Sequence, residues 1–241
     1  MQDHNFELSV NTGFLVNRYT DPDQWVKLVA NFININKVQF TADLINPSLP
    51  ESLIKKKVHE TKTCLDDNGV EVTSSFTGAF TRLNNLTHPD QDFREYYVDW
   101  FKKFADITAD LDSKYLGSHF AILTQQDLED PDRRKFLRKQ AIKSWHEIAS
   151  HAKNRGIEEI FWEPMSISRE FGETIDEAID LNNELNKNSP LPFSMCLDVD
   201  HGDLESPNPE DIDPYAWINQ CKDGFDTVSY THLRAHETNS N

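Results

Sequence analysis

Acidic side chains directly follow two apolar, strand-like stretches, and they are the best candidates for chemistry. Glu163 ends one stretch and Asp198 ends the other. A carboxylate placed there needs a cation, a proton or hydrogen bonds, because an unpaired buried charge is costly. Two carboxylates and a histidine would suit a divalent ion such as Mn²⁺, Mg²⁺, Co²⁺ or Zn²⁺. An open position on that ion could hold the carbonyl and hydroxyl of a substrate and acidify a neighbouring carbon.

Other polar side chains occur at comparable places and have simpler interpretations beside the functional one. His201 lies three residues after Asp198, and His119 lies in another strand-like stretch. Either histidine is also compatible with an ordinary hydrogen-bonded role. Arg169 could clamp an anion, because its planar guanidinium matches phosphate geometry, or it could pair with Glu170 at the surface.

The acids have simpler interpretations too. Glu163 is also compatible with a cap on the next helix, although Pro164 would make that cap poor. Asp198 is also compatible with a structural hydrogen-bond acceptor. Asp200 alternates with Asp198 but lies further along the chain, which favours a supporting or loop role.

The elements that must position these residues alternate regularly along the chain. Strands are predicted at 6–10, 37–44, 70–76, 115–123, 157–162 and 193–199, and a seventh begins at 225. Helices are predicted at 21–32, 51–67, 90–111, 130–154, 173–187 and 209–222. The first two helices are predicted to present one face inward, formed by Trp25, Leu28, Val29 and Phe32 in the first and by Leu53, Ile54, Val58 and Leu65 in the second. The third helix is rich in aromatic residues, which are Phe93, Tyr97, Trp100, Phe101 and Phe104.

Alternating strands and helices predict an α/β protein with a parallel sheet. The first strand is not followed by a glycine-rich dinucleotide fingerprint, so a (β/α)8 TIM barrel is favoured over a doubly wound sheet. Chemistry in such a barrel is built at the carboxyl ends of the strands, where Glu163 and Asp198 fall. A complete barrel takes about 250 to 300 residues, so we expect an incomplete one with about six and a half βα units.

Charge and composition narrow the expected partners. The 241 residues include 41 acidic and 24 basic side chains, a formal net charge of −17. Such a surface repels nucleic acid and anionic lipid, which favours a small-molecule partner. No apolar run reaches the roughly 18 residues that span a membrane, and the first residues do not resemble a secretory signal. The odd, widely spaced set Cys64, Cys196 and Cys221 favours a reducing cytoplasm.

The arrangement of Glu163 with the stretch Asp198-Val199-Asp200-His201 resembles the xylose isomerase-like superfamily of sugar isomerases and epimerases. That pattern has a metal-binding Glu ending strand five and an Asp-x-x-His ending strand six. The stretch from Glu163 to Glu170 is similar, more specifically, to the branch of erythrulose 1-phosphate 3-epimerases, which act on four-carbon sugar phosphates. The resemblance covers residues 6 to about 228.

The resemblance implies an isomerase that epimerises a small ketose or ketose phosphate through an enediolate. It implies one divalent metal held by Glu163 and Asp198, with a strand-seven His and a strand-eight Glu completing the site. Glu163 and the strand-eight Glu would act on opposite faces of one carbon. His201 and His119 would lie near the substrate, and Arg169 with Ser166 could hold a phosphate.

The last residues depart from this family pattern. The stretch from Ser229 to Thr238 resembles a translated sequencing adaptor rather than a strand, a helix and a strand. We therefore expect a truncated barrel domain at 1–228 and a non-native tail at 229–241; a genuine polar tail is the alternative. The strand-seven His and strand-eight Glu would then be absent, and we expect the chain as written to be poorly stable and inactive.

Two other functions compete with the epimerase. An endonuclease IV-like metal-dependent phosphodiesterase would need more strand-end histidines and a basic surface. A non-catalytic barrel would not need acids at the strand ends. The aromatic helix at 90–111 is expected to pack on the barrel, with a homo-oligomer interface as the alternative.

Overall fold

A single parallel sheet of seven strands, paired in the order of the chain, organises the protein. The computed structural model describes residues 7–82, 84–198, 201–202, 206–222 and 224–229, with the backbone alone at 226–229. The strands are β1 (Val10–Asn11), β2 (Lys37–Thr41), β3 (Glu71–Phe76), β4 (Tyr115–His119), β5 (Glu159–Glu163), β6 (Phe193–Asp198) and β7 (Phe225–Ser229). The parallel α/β fold predicted from the sequence is therefore confirmed.

Helices connect successive strands. They are α1 (Pro22–Lys27), continued by a π-helical turn (Leu28–Ile33), α2 (Glu51–Asn68), α3 (Gln91–Asp110), α4 (Gln125–Glu129), α5 (Pro131–Asn154), α6 (Ile175–Asn186) and α7 (Pro214–Cys221). Short 3₁₀ turns occur at Thr12–Leu15 and Pro209–Ile212. Within the described part of the chain, β1 pairs with β2 alone and β7 with β6 alone, which is the architecture of an incomplete (β/α)8 barrel.

Two apolar layers hold the strands in place. One lies between the sheet and the helices, where Leu116, Trp162 and Leu197 pack against side chains such as Trp145 of α5. The other lies on the opposite face of the sheet, where Phe76, Phe161 and Cys196 cluster. Successive side chains of a strand point to opposite faces, so residues two places from Phe161 and Cys196 also face the barrel interior.

Gly117 allows the inner layer to close. A Cβ atom at this position would lie 2.3 Å from the ring of Phe161 and 2.4 Å from that of Phe76. Those rings are 5.5 Å apart and stacked. The absence of a side chain at Gly117 therefore lets two aromatic rings fill the interior, and they form a floor under the ends of the strands.

Two of the predicted inward-facing side chains are wrong, because Phe32 is 82% exposed and Leu53 is 37% exposed. Phe93 of the aromatic helix is 50% exposed. The π-helical turn explains Phe32, because its wider winding takes the residues that follow Val29 off the face set by Trp25 and Val29. Phe93 lies in the first turn of α3, where its ring stacks on His88 rather than on the core. Leu53 likewise lies in the first turn of α2, while Ile54, Val58 and Leu65 are buried as predicted.

The aromatic helix packs as expected further along its length. Trp100, Phe101 and Phe104 of α3 are all buried in the layer between sheet and helices. Among the described residues, no helix is both long enough and apolar enough to cross a lipid bilayer.

Candidate active site

Strand register brings the predicted site residues to one end of the sheet. His119 and Glu163 are the last residues of β4 and β5, and they are direct partners in the parallel pairing. Asp198 is the last residue of β6. Each of the three lies two residues beyond an inner-layer residue of its own strand, so their side chains point into the barrel mouth above Phe161 and Cys196.

Three potential ligands converge at this end. One ligand atom each from Glu163, Asp198 and His201 lies within 4.8 Å of the others. Nδ1 of His201 is 3.4 Å from Oε1 of Glu163, and its Nε2 is 4.0 Å from Oδ2 of Asp198. The backbone N–H of His201 donates to the carbonyl of Asp198 at 3.0 Å, which holds His201 close to the end of β6.

The residues of this cluster fit a divalent cation. The side chains of Glu163 and Asp198 are only 10% and 2% exposed, so water screens their negative charges weakly. Two buried carboxylates beside an imidazole are the hard oxygen and borderline nitrogen donors that Mg²⁺, Mn²⁺, Co²⁺ or Zn²⁺ accept. Asp200 lies outside the described residues.

His119 adds a fourth polar group beside the cluster. Its Nε2 is 3.1 Å from Oε2 of Glu163, and its ring meets Phe76 edge-on with the centroids 5.5 Å apart. Nδ1 of His119 is buried and has no hydrogen-bond partner among the described residues. The sequence placed His119 near the mouth, but gave no sign that it would face Glu163.

A neutral thiol lies beneath the acids. Cys196 is buried two residues before Asp198 in the inner layer. Burial raises the pKa of its thiol well above the usual value, and the charges of Glu163 and Asp198 raise it further. Cys196 therefore remains protonated at neutral pH and contributes packing rather than a thiolate ligand.

The loop that follows Glu163 carries the two predicted phosphate-binding residues. Ser166 and Arg169 are both half-buried. Nε of Arg169 donates to the carbonyl of Leu123 at 3.0 Å, and the backbone N–H of Leu123 donates to the carbonyl of Arg169 at 2.8 Å. These two hydrogen bonds connect the loop to the segment after β4, and the terminal guanidinium nitrogens of Arg169 take part in neither of them.

The surface pairing of Arg169 with Glu170, weighed as an alternative, is wrong. Glu170 is buried and accepts from Nη2 of Arg82 at 2.5 Å. Arg82 belongs to the loop after β3, so this ion pair links two loops of the barrel mouth across 88 residues of sequence. The local sequence around Arg82 gives no indication of an ion-pair partner 88 residues away.

Two further residues that shape the mouth were missed or left unassigned by the sequence. The amide of Asn84 donates to the carbonyls of His119 and Phe120, at 2.8 and 3.0 Å. Asp43, after β2, accepts from the hydroxyl of Thr81 at 2.6 Å and from the backbone N–H of Phe80 at 3.1 Å. Asp43 was recognisable as a polar strand-end residue, whereas Asn84 carries no comparable signal.

A narrow apolar cleft, with a cavity volume of only about 10 Å³, adjoins the cluster. Asp198 and His201 border it, and the remaining lining is Pro164, Met165, Gly172, Leu197, Gly202, Pro214, Trp217 and Ile218. The side chain of Leu197 belongs to the layer between sheet and helices, so the cleft lies on that side of β6.

The chain belongs to the xylose isomerase-like TIM-barrel family, because the family model matches residues 33–233. At the level of individual proteins, the chain is 49% identical over 211 residues to D-erythrulose 1-phosphate 3-epimerase of Brucella abortus (strain 2308). That match covers 87% of this chain and 68% of the relative.

Solved structures share the fold. A candidate xylose isomerase from Rhodospirillum rubrum superposes with a TM-score of 0.88 at 24% identity, over 94% of this chain and 77% of that one. D-psicose 3-epimerase with D-tagatose, from Clostridium cellulolyticum H10, superposes with a TM-score of 0.69 at 16% identity, over 93% and 72% of the two chains. At these identities the superpositions establish the common barrel architecture.

A pair of glutamates anchors the far end of the loop after Glu163. Glu173 and Glu177 face each other, and Arg134 of α5 forms an ion pair with both, at 3.6 Å to Glu173. The backbone N–H of Gly172 donates to Glu177 at 3.3 Å. Burial, followed by the hydrogen bond and the charge of Glu177, raises the pKa of Glu173 to about 8, although the charge of Arg134 opposes the shift.

The raised pKa of Glu173 predicts a pH-dependent stability. The folded state keeps a proton that the unfolded chain releases above the ordinary value of 4.5, so the free energy of unfolding should fall as pH rises from about 4.5 to about 8. Glu173→Gln should flatten this decline in urea titrations across that range, because the amide cannot ionise. The exposed Glu129 provides the control variant, Glu129→Gln, which should keep the wild-type slope. Parallel curves for Glu173→Gln and wild type would contradict the assignment.

Proposed function

We propose that this protein is a metal-dependent 3-epimerase of a small ketose phosphate, with a tetrulose phosphate as the favoured substrate. The observation that carries the proposal is the convergence of Glu163, Asp198 and His201 at the carboxyl ends of β5 and β6. The 49% identity to D-erythrulose 1-phosphate 3-epimerase supports the reaction and the substrate class. The enzyme class that follows is isomerase.

Glu163 and Asp198 would hold the divalent ion, and His201 provides a third donor. The family resemblance placed His201 near the substrate, and its position in the cluster is compatible with either contact. When bound, the ion would act as a Lewis acid that polarises the carbonyl of the substrate and lowers the pKa of the adjacent carbon. The resemblance assigns two further ligands, a His and a Glu, to strands seven and eight.

Glu163 is the proposed catalytic residue among those described. Its carboxylate would remove the proton from the substrate carbon next to the carbonyl, which gives an enediolate. Return of a proton to the opposite face of that carbon inverts its configuration, a step that the resemblance assigns to the strand-eight Glu. The aromatic floor of Phe76 and Phe161 limits the access of water from below, so Glu163 transfers its proton in a shielded site.

Ser166 and Arg169 are proposed to bind the phosphate. Both lie on the loop after Glu163, and the hydrogen bonds between Arg169 and Leu123 fix that loop through Nε and the backbone, without using the terminal guanidinium nitrogens. An arginine fork matches phosphate oxygens better than a lysine would. His119 is treated separately below, because its contact with Glu163 suggests another role.

Charge and cysteine content support the proposed setting. A net charge of −17 disfavours nucleic acid as a substrate and therefore the endonuclease-like alternative. All three cysteines are free thiols, as expected of a cytoplasmic protein.

The metal site can be tested on the chain as it stands. Glu163→Gln and Asp198→Asn should each weaken Co²⁺ binding in calorimetric titrations by about 100-fold or more, because loss of a ligand exceeds the 10- to 100-fold typical of a supporting residue. The exposed acids Glu95 and Asp176 give matched controls, Glu95→Gln and Asp176→Asn, which should bind Co²⁺ like wild type. Equal affinities in all five proteins would refute the site.

The domain boundary is a second part of the proposal. We propose a barrel domain at 1–228 and a non-native segment at 229–241. Ser229 is the last residue of β7 and pairs with Asp198, and residues 230–241 lie outside the described ones.

Genomic sequence beyond codon 228 is expected to encode a strand-ending His and then a strand-ending Glu. The protein with that continuation should epimerise D-erythrulose 1-phosphate, and the chain as written should not. Epimerase activity in the chain as written would contradict the boundary.

Arg169→Ala should reveal the phosphate site in the active protein. Loss of a charged hydrogen bond costs about 1.5–3 kcal/mol, so KM for D-erythrulose 1-phosphate should rise about 10- to 100-fold, while KM for unphosphorylated D-erythrulose changes little. Arg155→Ala, which removes an arginine paired with Asp106 and Asp110 on the helical surface, should leave both constants unchanged. Equal increases for both substrates would rule out the role.

A further inference from the structure

His119 contacts the proposed base from a position that the backbone fixes. The residue ends β4 directly beside Glu163, and Nε2 of its ring is 3.1 Å from Oε2 of the carboxylate. The carbonyl of His119 accepts from the amide of Asn84, and Phe76 packs edge-on against the ring. His119 is only 8% exposed. Its backbone is fixed by Asn84 and by the pairing with β5, and its ring is packed against Phe76.

The two oxygens of Glu163 have separate surroundings. Oε2 faces His119, whereas Oε1 faces His201 of the three-residue cluster at 3.4 Å. His119 is therefore placed to hold one oxygen while the other stays directed at the cluster. His119 itself is outside the group of ligand atoms that lie within 4.8 Å of one another.

Hydrogen bonding requires a proton on Nε2 of the His119 ring. A proton on Nδ1 alone would set the lone pair of Nε2 against a carboxylate oxygen at 3.1 Å. With a proton on Nε2, the ring can donate to Oε2 of Glu163.

We infer that His119 is a positioning residue that donates from Nε2 to Oε2 of Glu163 and so orients Oε1 toward the divalent ion. This inference rests on the proposed function and deepens it. Carboxylates that bind metals are themselves held by hydrogen bonds from neighbouring groups, and removal of such a partner weakens metal binding by 10- to 100-fold. His119 thus acts through Glu163 rather than on the substrate.

Two substitutions at this position separate the role of Nε2 from simple packing. The amide nitrogen of glutamine reaches about as far as Nε2 of histidine, so His119→Gln should keep Co²⁺ affinity within about threefold of wild type. His119→Phe fills the same space without a donor and should lower the affinity about 10- to 100-fold. His146, whose Nε2 contacts the carbonyl of Leu185 on the helical layer, provides the control His146→Gln.

The test is a calorimetric Co²⁺ titration of the full chain, with the visible absorption of bound Co²⁺ as a second readout of the ligand arrangement. The variants His119→Phe and His119→Gln are measured alone and combined with Glu163→Gln, with circular dichroism to verify folding. Because His119 acts through the carboxylate, His119→Phe should have no added effect in the Glu163→Gln background.

Three results would overturn this inference alone, and a fourth would overturn it together with the proposed metal site. Wild-type affinity and absorption in His119→Phe would show that the contact orients nothing. An equal loss in His119→Gln would indicate that the ring itself is a ligand. A His119→Phe effect that persists undiminished beside Glu163→Gln would indicate general packing. A wild-type chain that binds no Co²⁺ would refute the proposed metal site and this inference together, whereas the other results leave that site intact.

Discussion

The parallel register of β4, β5 and β6 is the constraint on which the rest of the site depends. His119 pairs directly with Glu163, and β6 continues the same sheet to Asp198. Parallel strands end at a common edge, so three side chains that are distant in sequence meet without any contribution from the loops. A shift of one residue in any strand would turn its polar side chain into the helical layer.

The inner layer explains why that register is stable. Phe76 and Phe161 stack across the barrel interior, and only a glycine at 117 leaves room for them. Because the rings fill the space below the strand ends, the polar groups above them are confined to the mouth. The neutral thiol of Cys196 completes this floor beneath Asp198 and adds no charge to it.

Loops contribute the second level of organisation, and they do so through contacts between segments far apart in sequence. Arg82 and Glu170 join the loops after β3 and β5. Asn84 fixes the first of these loops to the end of β4, and Arg169 fixes the second to Leu123. Glu163 therefore lies beside loops that are fixed to one another, which is the environment that its proposed roles as metal ligand and base require.

The sequence by itself determined the fold class, the approximate strands and the acids at their ends. Periodicity of 2 and 3.6 residues is local, and an acid after an apolar run is visible without a structure. Only the tertiary structure decided that Phe32 is exposed, that Glu170 pairs with Arg82, and that Nε2 of His119 faces Glu163. A π-helical turn changes the face of a helix without a clear sequence signal, and the other two contacts join residues 88 and 44 positions apart. Such contacts follow from strand order and register, which emerge only when the whole sheet is assembled.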